Sequence, residues 1–141
     1  MCYIDEKEKT IIEEFSFSTK EDYDTGINKM LNFAVSKIAE FQPELVTIEQ
    51  VHYQMNTVTL KNLSRLQGVL INYFIRNDIL YEVITPSQWY GYHKIKGKDK
   101  KKQALALAKK LLNDDSITHD KADAFLMALY AKNNISIKYT K

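Results

Sequence analysis

Leu45-Val46-Thr47-Ile48-Glu49-Gln50 reads as a short, nearly all-apolar strand. Strands of that kind are buried in parallel sheets. It follows Phe41-Gln42-Pro43-Glu44, where proline stops a helical pattern. Glu49 stands at its carboxyl end, the end of a strand where ligands and catalytic groups collect in open α/β sheets. Two readings stay open at this residue: a functional carboxylate, or the point where the strand emerges into solvent.

Working outward from this strand, residues 24–41 form an amphipathic helix with Ile27, Met30, Leu31, Ala34, Ile38 and Phe41 on one face and Asp24 or Thr25 as N-cap. A second helix spans 57–76, entered through Asn56 or Thr57, with Leu60, Leu63, Leu70, Ile71 and Phe74 on its apolar face. Gly68 inside it costs roughly 1 kcal/mol against alanine, which suggests the close approach of another backbone. Leu80 to Ile84 is a short strand ended by Thr85-Pro86. A loop with Trp89, Gly91 and Gly97 follows, then helices at 100–113 and 119–132, and a short tail from Ile135 to Lys141. Upstream, residues 2–5 end a strand, and Thr10 to Phe17 carries β-formers that complete a hairpin. Strands alternating with helices predict an α/β layer protein, and the 141 residues fit one domain.

Hydrophobic residues at 45% suffice for a core, and charged residues at 27% are ordinary for a soluble protein. Cys2 is the only cysteine, so there is no disulfide framework and no thiol cluster for zinc. The start of the chain lacks a signal-like apolar core, and no apolar run approaches spanning length. A soluble, cytoplasmic protein is expected. The net charge of +2 hides an asymmetry. Lys94-Ile95-Lys96-Gly97-Lys98-Asp99-Lys100-Lys101-Lys102 sets six lysines against one aspartate on an otherwise slightly acidic chain. That pattern suggests a local polyanion contact.

Thr118-His119-Asp120-Lys121-Ala122-Asp123-Ala124 opens the last helix. Asp120 and Asp123, three apart, share one face at the positive end of the helix dipole. Acidic residues there also serve simply as caps and dipole partners. Taken with Glu49, they form an all-oxygen set suited to Mg²⁺ or Mn²⁺, the donor chemistry of metal-assisted phosphodiester hydrolysis.

At this point the ordered set of motifs resembles the RuvC-type Holliday-junction resolvases, homodimeric nucleases of ribonuclease H-like fold. Ile48-Glu49-Gln50-Val51 is similar to their second acidic motif. Leu60 to Val69, with its Arg65-x-x-Gly68 step, resembles their central helix, and Asp120-Lys121-Ala122-Asp123-Ala124 their closing motif. Thr85-Pro86-Ser87-Gln88 to Lys101-Lys102-Gln103 fits the loop and helix start between them. The resemblance spans nearly the whole chain. It implies a mixed sheet flanked by helices, a Mg²⁺-dependent homodimer that cuts branched DNA at four-way junctions, and Glu49, Asp120 and Asp123 as metal ligands. Lys101 would stand near the scissile phosphate, while His119, a surface group at the helix boundary, stays outside the core site. Lys94, Lys96, Lys98, Lys100, Lys101 and Lys102 would meet DNA.

Two departures stand out. Where the family has a further basic residue, this chain has Trp89-Tyr90, aromatics that either stack on exposed bases or pack inside. The family's first, central strand carries a Gly-Ile-Asp-type motif. Here Cys2 to Phe17 matches the hairpin after it, and Asp5 falls in or next to the hairpin turn. The first strand and its aspartate are therefore expected to be missing, leaving the hairpin and the later strands without a shared ladder. The resemblance is thus to a divergent, phage-like member of the family, and two other readings stay open: a non-catalytic protein that binds branched DNA, and a ribonuclease H-like nuclease for another substrate.

Overall fold

The computed structural model describes residues 1–16, 22–52 and 56–135. Phe17 of the expected hairpin and positions 136–141 of the expected tail lie outside them. The elements run β1 (Cys2–Ile4), β2 (Thr10–Ile12), α1 (Tyr23–Phe41), β3 (Val46–Glu49), α2 (Thr57–Arg76), β4 (Tyr81–Ile84), α3 (Pro86–Tyr92), α4 (Lys100–Leu112) and α5 (His119–Asn134). The fold is mixed α/β, as the alternation of strands and helices requires. Contacts group the chain into two compact units: residues 1–14 with 84–141, and residues 15–83.

The first unit is built around α5. This helix packs against α4, α3 and both hairpin strands. A helix covered on several sides must be apolar on several faces, and Ala122, Phe125, Leu126, Met127 and Ala131 are all buried. Opposite them lie Trp89 and the small Ala104 and Ala108, whose size lets α4 approach closely. The hairpin pairs antiparallel, with Cys2 opposite Ile12, Tyr3 opposite Ile11 and Ile4 opposite Thr10. Its turn is held by Asp5, whose carboxylate accepts from the Lys7 and Lys9 N–H groups at 2.9 and 2.8 Å. Asp5 is thus a turn residue.

The second unit holds α1, α2 and the β3–β4 ladder. The two helices pack together, and the Tyr23 hydroxyl of α1 donates to the Asn62 carbonyl of α2. Phe15 stacks on Phe33 with ring centroids 4.7 Å apart. In the ladder, Val46 N–H donates to Leu80 C=O at 2.9 Å. Phe74, 2% exposed, anchors the unit and meets Tyr81 at 5.7 Å between centroids. As expected, the hairpin and the later strands form separate two-stranded ladders among the described residues.

Four sequence expectations need correction. β3 is half-buried along Val46, Thr47 and Ile48, with Glu49 exposed, because β4 is its one partner among the described residues. The N-cap of α1 is Asp22, whose carboxylate accepts from the Asp24 and Thr25 N–H groups. Gly68 is exposed, and a Cβ there would meet nothing within 4 Å among the described residues, so no close backbone approach is seen there. The first part of the stretch after β4, with Trp89 and Gly91, is not a loop but the helix α3, and the loop with Gly97 follows it. Thr85 accepts from the Gln88 N–H while the Gln88 side chain accepts from the Thr85 N–H at 2.7 Å. With Pro86 at the first helical position, this is a capping box, and Pro86 starts a helix rather than merely ending a strand.

Candidate active site and basic loop

The first turn of α5 carries the acidic pair. Thr118 is extended (φ −80°, ψ 165°) and caps the helix, its Oγ1 accepting from the Lys121 N–H at 3.4 Å. The same hydroxyl donates to Glu14 Oε2 at 3.1 Å. A hydroxyl has one proton to give. Glu14 takes it and so commits the oxygen's lone pairs to the cap. The two residues lie 104 positions apart, and nothing in the local sequence points to the contact.

Asp120 is exposed and Asp123 half-buried. Burial pushes the Asp123 carboxyl above the usual carboxylate range. Lys101 pulls it back, the Asp120 charge pushes it further up, and His119 pulls it down. The structure therefore brings Lys101, at the start of α4, within electrostatic reach of the acidic turn of α5. A half-desolvated carboxylate repelled by a neighbouring one is relieved by a cation, and two hard oxygen donors suit Mg²⁺ or Mn²⁺. Among the described residues, no three His, Cys, Asp or Glu side chains converge to hold an ion. Glu49 ends β3 in the other unit, its backbone carbonyl accepting from Gln67 Nε2 at 3.4 Å. Burial pushes the Cys2 thiol up to about 12, so it offers no thiolate.

The basic segment runs from the end of α3 into α4. Lys94, Lys96, Lys98, Lys100, Lys101 and Lys102 are all exposed. The last three fill the first turn of α4. Cations there oppose the helix dipole, at roughly 0.3–1 kcal/mol each. Asp99, in the left-handed region (φ 59°), makes no side-chain cap to offset it. A helix start arranged against its own electrostatics suits an anion from outside. Lys100 Nζ lies 5.6 Å from the centroid of the Tyr90 ring, so a cation does stand beside the aromatic that replaces the family's basic residue.

Trp89 is completely buried and so does not offer its face to a base; its packing role holds. Tyr90 is half-exposed. Sequence reasoning also passed over His93. Its Nε2 lies 2.8 Å from the Leu126 carbonyl; since a carbonyl only accepts, Nε2 carries the proton, and α3 is tied to the middle of α5.

A mixed α/β fold of ribonuclease H-like type, with a paired-aspartate helix start and a lysine loop beside it, defines the class. A family model described as crossover junction endodeoxyribonuclease RuvC matches residues 8–131, and the chain belongs to that family. The structure is similar to that of T. thermophilus RuvC in complex with a Holliday junction substrate: TM-score 0.69, 14% identity, covering 93% of this chain and 82% of that one. A second Thermus thermophilus RuvC structure gives TM-score 0.64 and 11% identity, covering 89% of this chain and 76% of the other. No curated protein is significantly similar in sequence. Among the described residues, no helix is long and apolar enough to cross a membrane.

Proposed function

We propose that this chain is a metal-dependent endonuclease that resolves four-way DNA junctions as a homodimer. The observation that carries the reading is that the Lys101 charge reaches the half-buried Asp123 carboxyl, which Asp120 also acts on, in a chain that belongs to the RuvC family. In this reading Asp120, Asp123 and Glu49 hold a divalent cation through carboxylate oxygens. Lewis-acid activation of water and stabilisation of the leaving oxygen are what such an ion supplies when bound. Lys101 offers its ammonium to the charge that develops on the cleaved phosphate. The exposed lysines hold the DNA backbone. Two cuts related by symmetry call for two copies. The exposed face of α2 around Gly68 supports that assembly, because no contact among the described residues offsets the glycine's helix cost.

The test is cleavage of a four-way junction in Mg²⁺ and in Mn²⁺. In a form that cuts, Asp123→Asn should lose on the order of 10²–10³-fold in rate, the scale of one lost transition-state contact. Junction affinity should be nearly unchanged in the variant. A junction bound but not cut in either metal would leave a binding protein instead. Affinity should also fall steeply with salt, by about 0.9 in log–log slope for each phosphate contacted. Neutralising Lys98, Lys100 and Lys101 together should flatten that slope.

A further inference from the structure

The lysine loop is not simply a solvated charge run. Between Ile95 and the start of α4, one side chain holds it. Gln103, on the first turns of α4, accepts through Oε1 from the Lys96 N–H at 3.3 Å. Its Nε2 donates to the Lys96 carbonyl at 2.7 Å and to the Lys98 carbonyl at 2.9 Å. Both amide protons and the amide oxygen are used, and only this orientation of the amide satisfies two carbonyls and one N–H. Lys96 is gripped at both its backbone groups, much as a neighbouring strand would grip it.

The backbone under the clamp is wound. Lys94 (φ 58°), Gly97 (φ 75°) and Asp99 (φ 59°) all sit in the left-handed region. Two of the three are not glycine, and such residues persist there only when their surroundings hold them. At the near end, Lys94 N–H donates to Gly91 C=O at 3.1 Å and Ile95 N–H to Tyr90 C=O at 2.9 Å, and the Ile95 side chain is buried. At the far end, Gln103 N–H donates to Asp99 C=O at 3.0 Å. Gln103 closes the span between these anchors, so the charges of Lys94, Lys96, Lys98 and Lys100 hang from a backbone of set shape.

We infer that Gln103 is a positioning residue: by clamping residues 96–98 it fixes the lysine loop in one shape and makes the loop select branched over linear duplex DNA. The inference rests on the proposed junction-binding function. A slack loop with the same lysines would still attract any polyanion, because that attraction depends on charge and not on shape. A loop already shaped loses little freedom on binding, but only where phosphates match its spacing. Removing the clamp therefore costs more on the shaped target than on the uniform one.

The experiment compares the full wild-type chain with Gln103→Met and Gln103→Leu. Methionine keeps the length and leucine the approximate bulk; both are uncharged and both remove every hydrogen bond of the clamp. Affinities for a four-way junction and for a linear duplex are measured across a salt series, and amide exchange is followed over residues 95–99. The wild type should prefer the junction. Each variant should lose about tenfold on the junction and less than about twofold on the duplex, since pre-organisation and not charge has been removed. The duplex salt slope should be unchanged, and the Lys96 amide should lose its protection. Equal weakening on both DNAs, or no change on either, overturns the inference. So does an unprotected Lys96 amide in the wild type. If one variant fails to fold, the other carries the comparison; if both fail, wild-type protection at Lys96 and wild-type junction preference decide it. A wild type that binds neither DNA in a salt-dependent way defeats the proposed function, while the exchange of Lys96 still reports on the clamp.

Discussion

The two units differ sharply in how they are packed. In the first, α5 is covered by α3, α4 and the hairpin, and its core runs from Trp89 and Ala104 to Leu126 and Ile135. In the second, Phe74 is the one buried apolar side chain among the described residues, while Val58 and Ile75 of α2 stand 68% and 61% exposed. Both units have apolar periodicity and capped helices, α4 excepted. The difference is one of enclosure: α5 has neighbours on several faces, whereas α1 and α2 cover chiefly each other. The acidic turn, Lys101 and the clamped lysine loop all belong to the densely packed unit, where fixed backbone holds charged side chains to a set geometry. Glu49 alone of the expected site residues belongs to the other.

Glu49→Gln strikes that contrast hardest. If Glu49 is a ligand, cleavage should fall on the order of 10²–10³-fold, as for Asp123→Asn, with junction affinity retained. Cleavage near the wild-type rate would confine the chemistry to the first unit. Thermal or denaturant unfolding probes the packing itself. Leu126→Ala should cost about 2–5 kcal/mol, the range for truncating a fully buried leucine. Ile75→Ala should stay within about 0.5 kcal/mol, as surface changes do. Equal costs would mean that the second unit is far better enclosed than it looks. Gly68→Ala makes the smallest and most telling change. It should stabilise α2 by up to about 1 kcal/mol through helix propensity alone. Sedimentation of the same variant should show weakened self-association, because a new methyl group would stand where a second copy approaches. Unchanged association would remove α2 around Gly68 from the interface.

Much of this was legible in the chain. The periodic apolar residues marked α1, α2 and α5 within one or two positions, because a helical face recurs at a fixed spacing. The hairpin and the strand before Glu49 were legible from β-formers and from Pro43. The acidic pair and the lysine run were visible as local patterns. The helix α3 is encoded in Thr85-Pro86-Ser87-Gln88 too, but a proline after a strand marks an ending as readily as a first helical residue. Trp89 went into the core for the same local reason: on α3 its side chain is turned inward, whereas a loop would have left it free.

By itself, then, the sequence determined the order of the strands and longer helices and the charges, since each depends on residues a few positions apart. Only the tertiary structure decided which distant groups meet. It set Glu14 against Thr118 and His93 against the Leu126 carbonyl, and brought the Asp123 carboxyl within reach of the Lys101 charge. It also decided which apolar faces are covered and which are left open, as on α2. Spacing along the chain carries no record of these pairings: they form when α5 is enclosed by elements from both ends of the sequence, and burial then fixes which polar groups must find partners.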